Sequence, residues 1–211
     1  MTDEHASQAK DPTRYPIPRD SRYIPLTQQP SHCVPTCIQM VMYRNNIPLR
    51  PAEEIGYYFG LVVRPEQSNL FSNVKTAIDP PAAGYGIQMH IPEYEPNTAF
   101  AHMNIPLHFS KEPIAEISTA RELLDRLRMH EKKDVDVLVA FNLGALIDEP
   151  SLNEAHHACV FDRIINDQIR LVDPSFYAPK WRVFSAEQLF EAMKKHVSDE
   201  WGGIWIFTKT S

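Results

Sequence analysis

Cys33-Val34-Pro35-Thr36-Cys37-Ile38-Gln39-Met40-Val41-Met42 is the stretch on which the fold turns. Val34, Cys37, Ile38, Val41 and Met42 fall at i, i+3, i+4, i+7 and i+8, the apolar stripe of a helix. Pro35 sits in the first turn, where its missing N–H costs nothing. Asn45-Asn46 with Pro48 just beyond predicts the stop. Cys33 therefore stands where a helix begins, and the positive end of a helix favours thiolate over thiol. Cys37, one turn further in and on the apolar face, reads as core.

A distant segment supplies the groups such a thiol needs. His156-His157-Ala158-Cys159-Val160 opens a strand, and His157 to Ile164 with Ile169 to Val172 forms a hairpin around Asn166-Asp167. Asp173-Pro174 ends it. Along the first strand His157, Cys159 and Phe161 share one face, and Ala158, Val160 and Asp162 the other. A three-residue loop centred on Asn166 would set Asp173 opposite Cys159 and diagonal to His157, roughly 7–8 Å away at the backbone. Thiol, imidazole and carboxylate are the parts of a cysteine nucleophile site. The spacing to Asp173 favours His157 as base, with His156, pointing the other way, as the alternative. Gln28 and Gln29 precede Cys33, and either amide could donate to an oxyanion beside the Cys33 backbone N–H. His32 reads as an exposed loop residue. A zinc reading would draw on Cys33, His156, His157, Cys159 and Asp162. No CxxC pair and no HExxH helix supports it, so neither metal nor cofactor is expected.

Around these motifs the chain segregates helices from strands. Tyr23 to Leu26 suits a short edge strand. Pro51 to Ile55 opens a second helix that stops near Gly60, and Leu70 to Ile78 suits a third. Residues 80–113 show no long periodic run and read as loops and short strands, including Ile87 to Ile91. Thr119 to Glu122 matches a capping box for a helix to about Glu131, and Ser185 to Gln188 another for a helix to about Val197. Val135 to Phe141 and Ile204 to Phe207 are strand candidates. The order indicates α+β and not alternating βαβ units. Residues 1–20 read as a flexible N-terminal arm, and 21–211 as one domain with an insertion around 60–115. Tyr85, Tyr94, Phe100 and Trp181 are candidates for pocket walls, though such aromatics are more often core.

Composition excludes some partners. The 211 residues carry a net charge of −6 with no basic block, which argues against nucleic acid. No apolar run approaches a membrane span, and the polar start, Met1 to Lys10, shows no signal peptide. Three cysteines are an odd number for a disulfide framework. A soluble, cytoplasmic protein with free thiols is expected, its oligomeric state unread.

Gln28-Gln29-Pro30-Ser31-His32-Cys33-Val34-Pro35-Thr36-Cys37, together with His157-Ala158-Cys159-Val160-Phe161 and Leu171-Val172-Asp173-Pro174, resembles the C39-like branch of the papain-fold cysteine peptidases. The resemblance implies a papain-like fold with the helix from Cys33 packed on an antiparallel sheet. It implies Cys33 as nucleophile, His157 as general base, Asp173 as its orienter and Gln28 or Gln29 in the oxyanion hole. The expected activity is hydrolysis of a peptide or amide substrate through an acyl-enzyme. Acyl transfer on the same triad, transglutaminase- or peptide-synthase-like, is the nearest rival. A non-catalytic papain-like binding module is the second.

Overall fold

The computed structural model describes residues 17–76, 78–81, 83–153, 155–176 and 180–210. Most of the expected arm lies outside the described residues. Its last residue does not stand apart: Asp20 pairs with Arg163 at 3.3 Å and with Arg170 at 3.1 Å.

Among the described residues one six-stranded antiparallel sheet organises the fold, in the order β1 (Leu107–Pro113), β6 (Gly203–Lys209), β2 (Asp136–Asn142), β3 (His156–Ile165), β4 (Gln168–Val172) and β5 (Trp181–Phe184). Alternation along β2 shows why it is a sandwich of layers. Leu138 and Ala140 join a core with α1 (Cys33–Arg44), α2 (Ala52–Tyr58) and α3 (Pro96–Met103). Val137, Val139 and Phe141 join a second core with α4 (Ala120–Lys132), α5 (Leu143–Ile147) and α6 (Ala186–Lys194). Every residue of β2 is buried, as expected of a strand covered on both faces.

The helix from Cys33 runs as its spacing predicts, and Asn45 ends it. Its far end is fixed to the sheet by buried Asp136, which accepts from Arg44 at 2.7 Å, Asn45 at 2.6 Å and the Tyr23 hydroxyl at 2.6 Å. Nearer its start the Cys37 thiol donates to the Ala158 carbonyl at 3.4 Å. Both caps of the later helices form. Thr119 accepts from the Glu122 N–H, and Ser185 and Gln188 make a reciprocal capping box.

Four expectations need correction. Residues 65–71 form a 3₁₀ stretch and 72–76 are turn and irregular chain rather than helix; Val74 is the one apolar side chain on 72–76 and it is only half-buried, too little to seat a helix on the core. Ile87 to Ile91 is a turn region and not a strand; Met89 and Gln88 are buried there by α2 and its neighbours rather than by ladder pairing. Tyr23 to Leu26 makes no ladder, although Tyr23 is buried against α1. Residues 80–113, read as loops and short strands, hold a short edge strand, β1, but also a helix, α3, that the reading lacked. The α3 helix is only eight residues long and is stabilised by Glu95 capping the Asn97 and Thr98 N–H groups, not by a long periodic stripe.

The hairpin carries the decisive detail. Asn166 and Asp167 both have positive φ, 49° and 64°, the two-residue turn of a tight hairpin, so Ile165 pairs with Gln168. The register shifts between Phe161 and Arg163, after which Val160 pairs with Val172. Asp162 is the extra residue of a β-bulge. Continued unbroken, the pairing from the turn would set Asp173 level with Val160. The bulge moves it level with Cys159, onto the face that His157 shares. The two-residue turn plus one bulged residue thus reaches the register that a three-residue loop would have given. Asp162 is fully buried and accepts from the Arg22 N–H at 2.7 Å and from Arg170 Nε at 2.6 Å.

Candidate active site

At the end of the sheet where β3 begins, β4 has already stopped and the chain leaves through Asp173-Pro174. The loop before α1 fills the vacated edge: the Gln28 N–H donates to the Pro174 carbonyl at 2.8 Å. Ser31 turns the chain in the left-handed region, φ 63°, and its hydroxyl lies 3.3 Å from the Tyr85 hydroxyl. A non-glycine residue held there stores strain of about 1–3 kcal/mol, which tends to gather at functional sites. His32 is the N-cap and gives no side-chain cap bond, and no acidic residue stands in the first turn. The positive end of α1 is therefore left unneutralised at Cys33, its first residue.

Cys33 is partly exposed, whereas Cys37 and Cys159 are buried. Burial alone would raise its thiol pKa. The hydrogen bond to His157, the imidazolium charge, and the Ala158 and Val34 N–H groups outweigh that and hold it below the ordinary thiol value. His157 is buried, with its ring edge-on to Phe141 at 5.8 Å. Its Nε2 lies 2.8 Å from Asp173 Oδ1, which leaves Nδ1 for the thiol. Burial works against the imidazolium, but the Cys159 sulfur, the Asp173 carboxylate and Cys33 together raise the pKa well above the usual histidine value.

Asp173 is buried and fully committed. Its Oδ1 also accepts the Ser175 N–H at 2.8 Å, and its Oδ2 makes a 2.8 Å ion pair with Arg182. Burial would raise its pKa, yet His157, Arg182 and the Ser175 N–H pull it down to about 2. Lys180, also buried, donates to the Pro174 carbonyl at 3.2 Å and the Ser175 carbonyl at 2.5 Å, which stiffens the turn after Asp173.

Of the residues expected from the sequence, the structure brings Cys33, His157 and Asp173 into one cluster. His156 stands outside it, exposed, with its ring 4.8 Å from that of His196. The two glutamines part company. Gln29 is exposed and its amide bonds Glu53 on α2. Gln28 is partly buried, its backbone is tied beside Asp173, and among the described residues its Nε2 makes no hydrogen bond. His32 is not the exposed residue expected: it is fully buried near Phe71, its Nδ1–H donates to the Pro30 carbonyl at 2.7 Å, and its Nε2 has no partner among the described residues. Of the aromatics weighed as pocket walls, Tyr94 and Phe100 are buried in the core, Trp181 packs against its margin, and Tyr85 alone is exposed. Arg182 had no sequence signal, because β5 is a four-residue edge strand without alternation.

The ligand atoms of His157, Cys159 and Asp173 lie within 4.8 Å of one another, so these three could meet a metal ion. The chemistry of the set argues against it. Nε2 and Oδ1 already share a hydrogen bond, Arg182 holds a positive charge against the carboxylate, and burial and Asp173 push the Cys159 thiol up to about 12, far from the thiolate a metal requires. Cys33, His156 and Asp162 add no ligand to the set.

This mixture of helices and one antiparallel sheet is shared with a solved protein. The chain superposes on the crystal structure of a "putative C39-like peptidase" from Bacillus anthracis with a TM-score of 0.54 and 16% sequence identity, over 89% of this chain and 96% of that one. At that identity the likeness carries the fold alone. No known protein-family model and no curated protein sequence matches the chain. Among the described residues no helix is long and apolar enough to cross a membrane.

Proposed function

We propose that this chain is a cysteine-nucleophile hydrolase of papain-like fold that cleaves a peptide or amide bond. The observation that carries the reading is the single imidazole of His157, set against Cys33 at the first residue of α1 and hydrogen-bonded to Asp173 at 2.8 Å. The Cys33 thiolate would attack the amide carbonyl. The oxyanion would take hydrogen bonds from the Cys33 backbone N–H and the free Gln28 amide. His157, protonated, would pass its proton to the leaving amine as the C–N bond breaks, and Asp173 would hold the ring in place. Water, deprotonated by the now neutral His157, would then release the acyl group from sulfur. Gln29 has no part in this scheme, since Glu53 occupies its amide.

Acyl transfer uses the same groups with an amine in place of water. The partial exposure of Cys33, its lowered pKa and the Gln28 amide left without a partner favour turnover over a binding module. The test is a peptide-library cleavage screen with the wild type and Cys33→Ala, followed by mass spectrometry of the products. Cleavage or transpeptidation by the wild type alone supports the reading. Turnover that survives Cys33→Ala would sink it.

A further inference from the structure

A cavity of about 470 Å³ opens beside the edge strand β1, on the face of the sheet that α1 covers. Its position relative to Cys33 follows from the ladder. His157 pairs with Phe141, Ala140 pairs with Gly203, and the Ile114 N–H donates to the Gly202 carbonyl at 2.8 Å. His157, Phe141, Gly202 and Ile114 thus form one row across the sheet. His156 and Trp201 lie in the next row outward, two strand spacings apart, about 10 Å. His196 bridges them: its ring is 4.8 Å from His156, and its Cβ lies 2.7 Å from where a side chain at Gly202 would begin, so only glycine admits it.

The chemistry of the cavity is specific. Trp201 lies parallel to Phe109, ring centres 6.3 Å apart. Lys111 Nζ sits 3.8 Å above the Trp201 ring and 2.6 Å from Glu200 Oε1. Two carboxylates line the site, and they differ. Glu95 is spent on α3, accepting from the Asn97 and Thr98 N–H groups and from Asn97 Nδ2. Glu200 is not: its side chain is 69% exposed and its carboxylate bonds Lys111 alone among the described residues. Trp201 Nε1, buried, has no acceptor among the described residues, and His90 stands on the same rim.

We propose that this cavity is a substrate subsite for a carboxylate: an acidic side chain lying three or more residues from the scissile amide, at about 3.3 Å per extended residue. Lys111 is its counter-ion, Trp201 its apolar floor, and Glu200 the built-in placeholder that it displaces. Exchange of one carboxylate for another leaves Lys111 paired throughout. A basic side chain would instead meet the Lys111 charge. The substrate role rests on the reading of Cys33 as nucleophile, but carboxylate binding is measurable without turnover.

The test is fluorescence anisotropy of dye-labelled decapeptide pools, otherwise matched and carrying Glu, Gln or Lys, titrated into Cys33→Ala protein at low salt. The Glu pool should bind tighter than the Gln pool, and by about fivefold, the span of a well-placed exposed ion pair, where Glu200→Gln removes the competing carboxylate. Lys111→Met should erase that preference, and Glu200→Gln should strengthen binding of the Glu pool. The proposal is overturned if no pool binds, if Gln or Lys pools bind as well as Glu, or if Lys111→Met leaves the preference intact. Wild-type protein that binds the Glu pool through Lys111 and cuts nothing would instead refute the peptidase reading and leave the carboxylate site standing.

Discussion

Asp162 lies far from the thiol in sequence, yet the bulge it makes decides whether Asp173 faces His157. Replace it with alanine and three contacts vanish: Arg170 Nε at 2.6 Å, the Arg22 N–H at 2.7 Å and the Ser21 hydroxyl at 3.4 Å. Removing one partner of a buried pair typically costs about 3–5 kcal/mol, because the other charge stays buried. Arg170 keeps Asp20, so the lower end, about 3 kcal/mol, is expected. For a chain of this size that is a fall of roughly 6–12 °C in Tm. The bulge then has nothing to hold it, and a ladder regularised from the Asn166-Asp167 turn would carry Asp173 to the opposite face. His157 would lose the carboxylate that keeps it protonated, and iodoacetamide labelling of Cys33 at pH 6 should slow about tenfold or more, the equivalent of one pKa unit. Asp162→Asn still accepts from the Arg22 N–H and should keep most of the labelling rate. The assays are thermal unfolding and timed alkylation read by mass spectrometry. Asp162→Ala that is as stable as wild type, or that is destabilised yet labels at the wild-type rate, would refute the claim that this residue sets the register.

Three further outcomes are expected. Gln28→Ala should lower kcat about 10²–10³-fold, as loss of one oxyanion donor does, whereas Gln29→Ala should change it little; equal effects would remove Gln28 from the site. The Asp173 carboxyl, at about 2 in the fold against a usual 3.8, contributes roughly 2 kcal/mol of stability that is present above about pH 4 and lost as pH falls through about 2; urea unfolding of wild type and Asp173→Asn should show a difference that shrinks between pH 5 and pH 2. His157, its pKa raised, contributes in the other direction, fully below about pH 6.5 and progressively less as pH rises through its native value, so His157→Ala should cost more stability at pH 6 than at pH 10.

What the sequence shows plainly is whatever depends on local pattern. The stripe from Val34 to Met42, the capping residues Thr119 and Ser185, and the turn pair Asn166-Asp167 each act within a few residues, and each element stands near its expected place. The meeting of Cys33, His157 and Asp173 was also legible, because a helix start and a strand pair fix directions as well as positions. Elements held by tertiary contact were not. Strand β1 exists because β6 pairs with it, from Leu107 opposite Lys209 to Pro113 opposite Gly203, and β5 because Val172 and Trp181 meet. The bulge at Asp162 depends on Ser21, Arg22 and Arg170, three residues from two other segments, so no local pattern announces it. His32 looked like a loop histidine, and only the packing of Phe71 and the Pro30 carbonyl reveals it as buried.

The central claim is that His157, supported by Asp173, makes Cys33 a thiolate at pH values where a free cysteine is still protonated. The pH dependence of Cys33 alkylation by iodoacetamide, measured from pH 4 to 10 for wild type and His157→Ala, tests it directly. A wild-type curve that stays reactive at pH 6, with the His157→Ala curve displaced to the ordinary thiol range or above, is the predicted result. Two superimposable curves, both rising only near the pKa of a free cysteine, would contradict it.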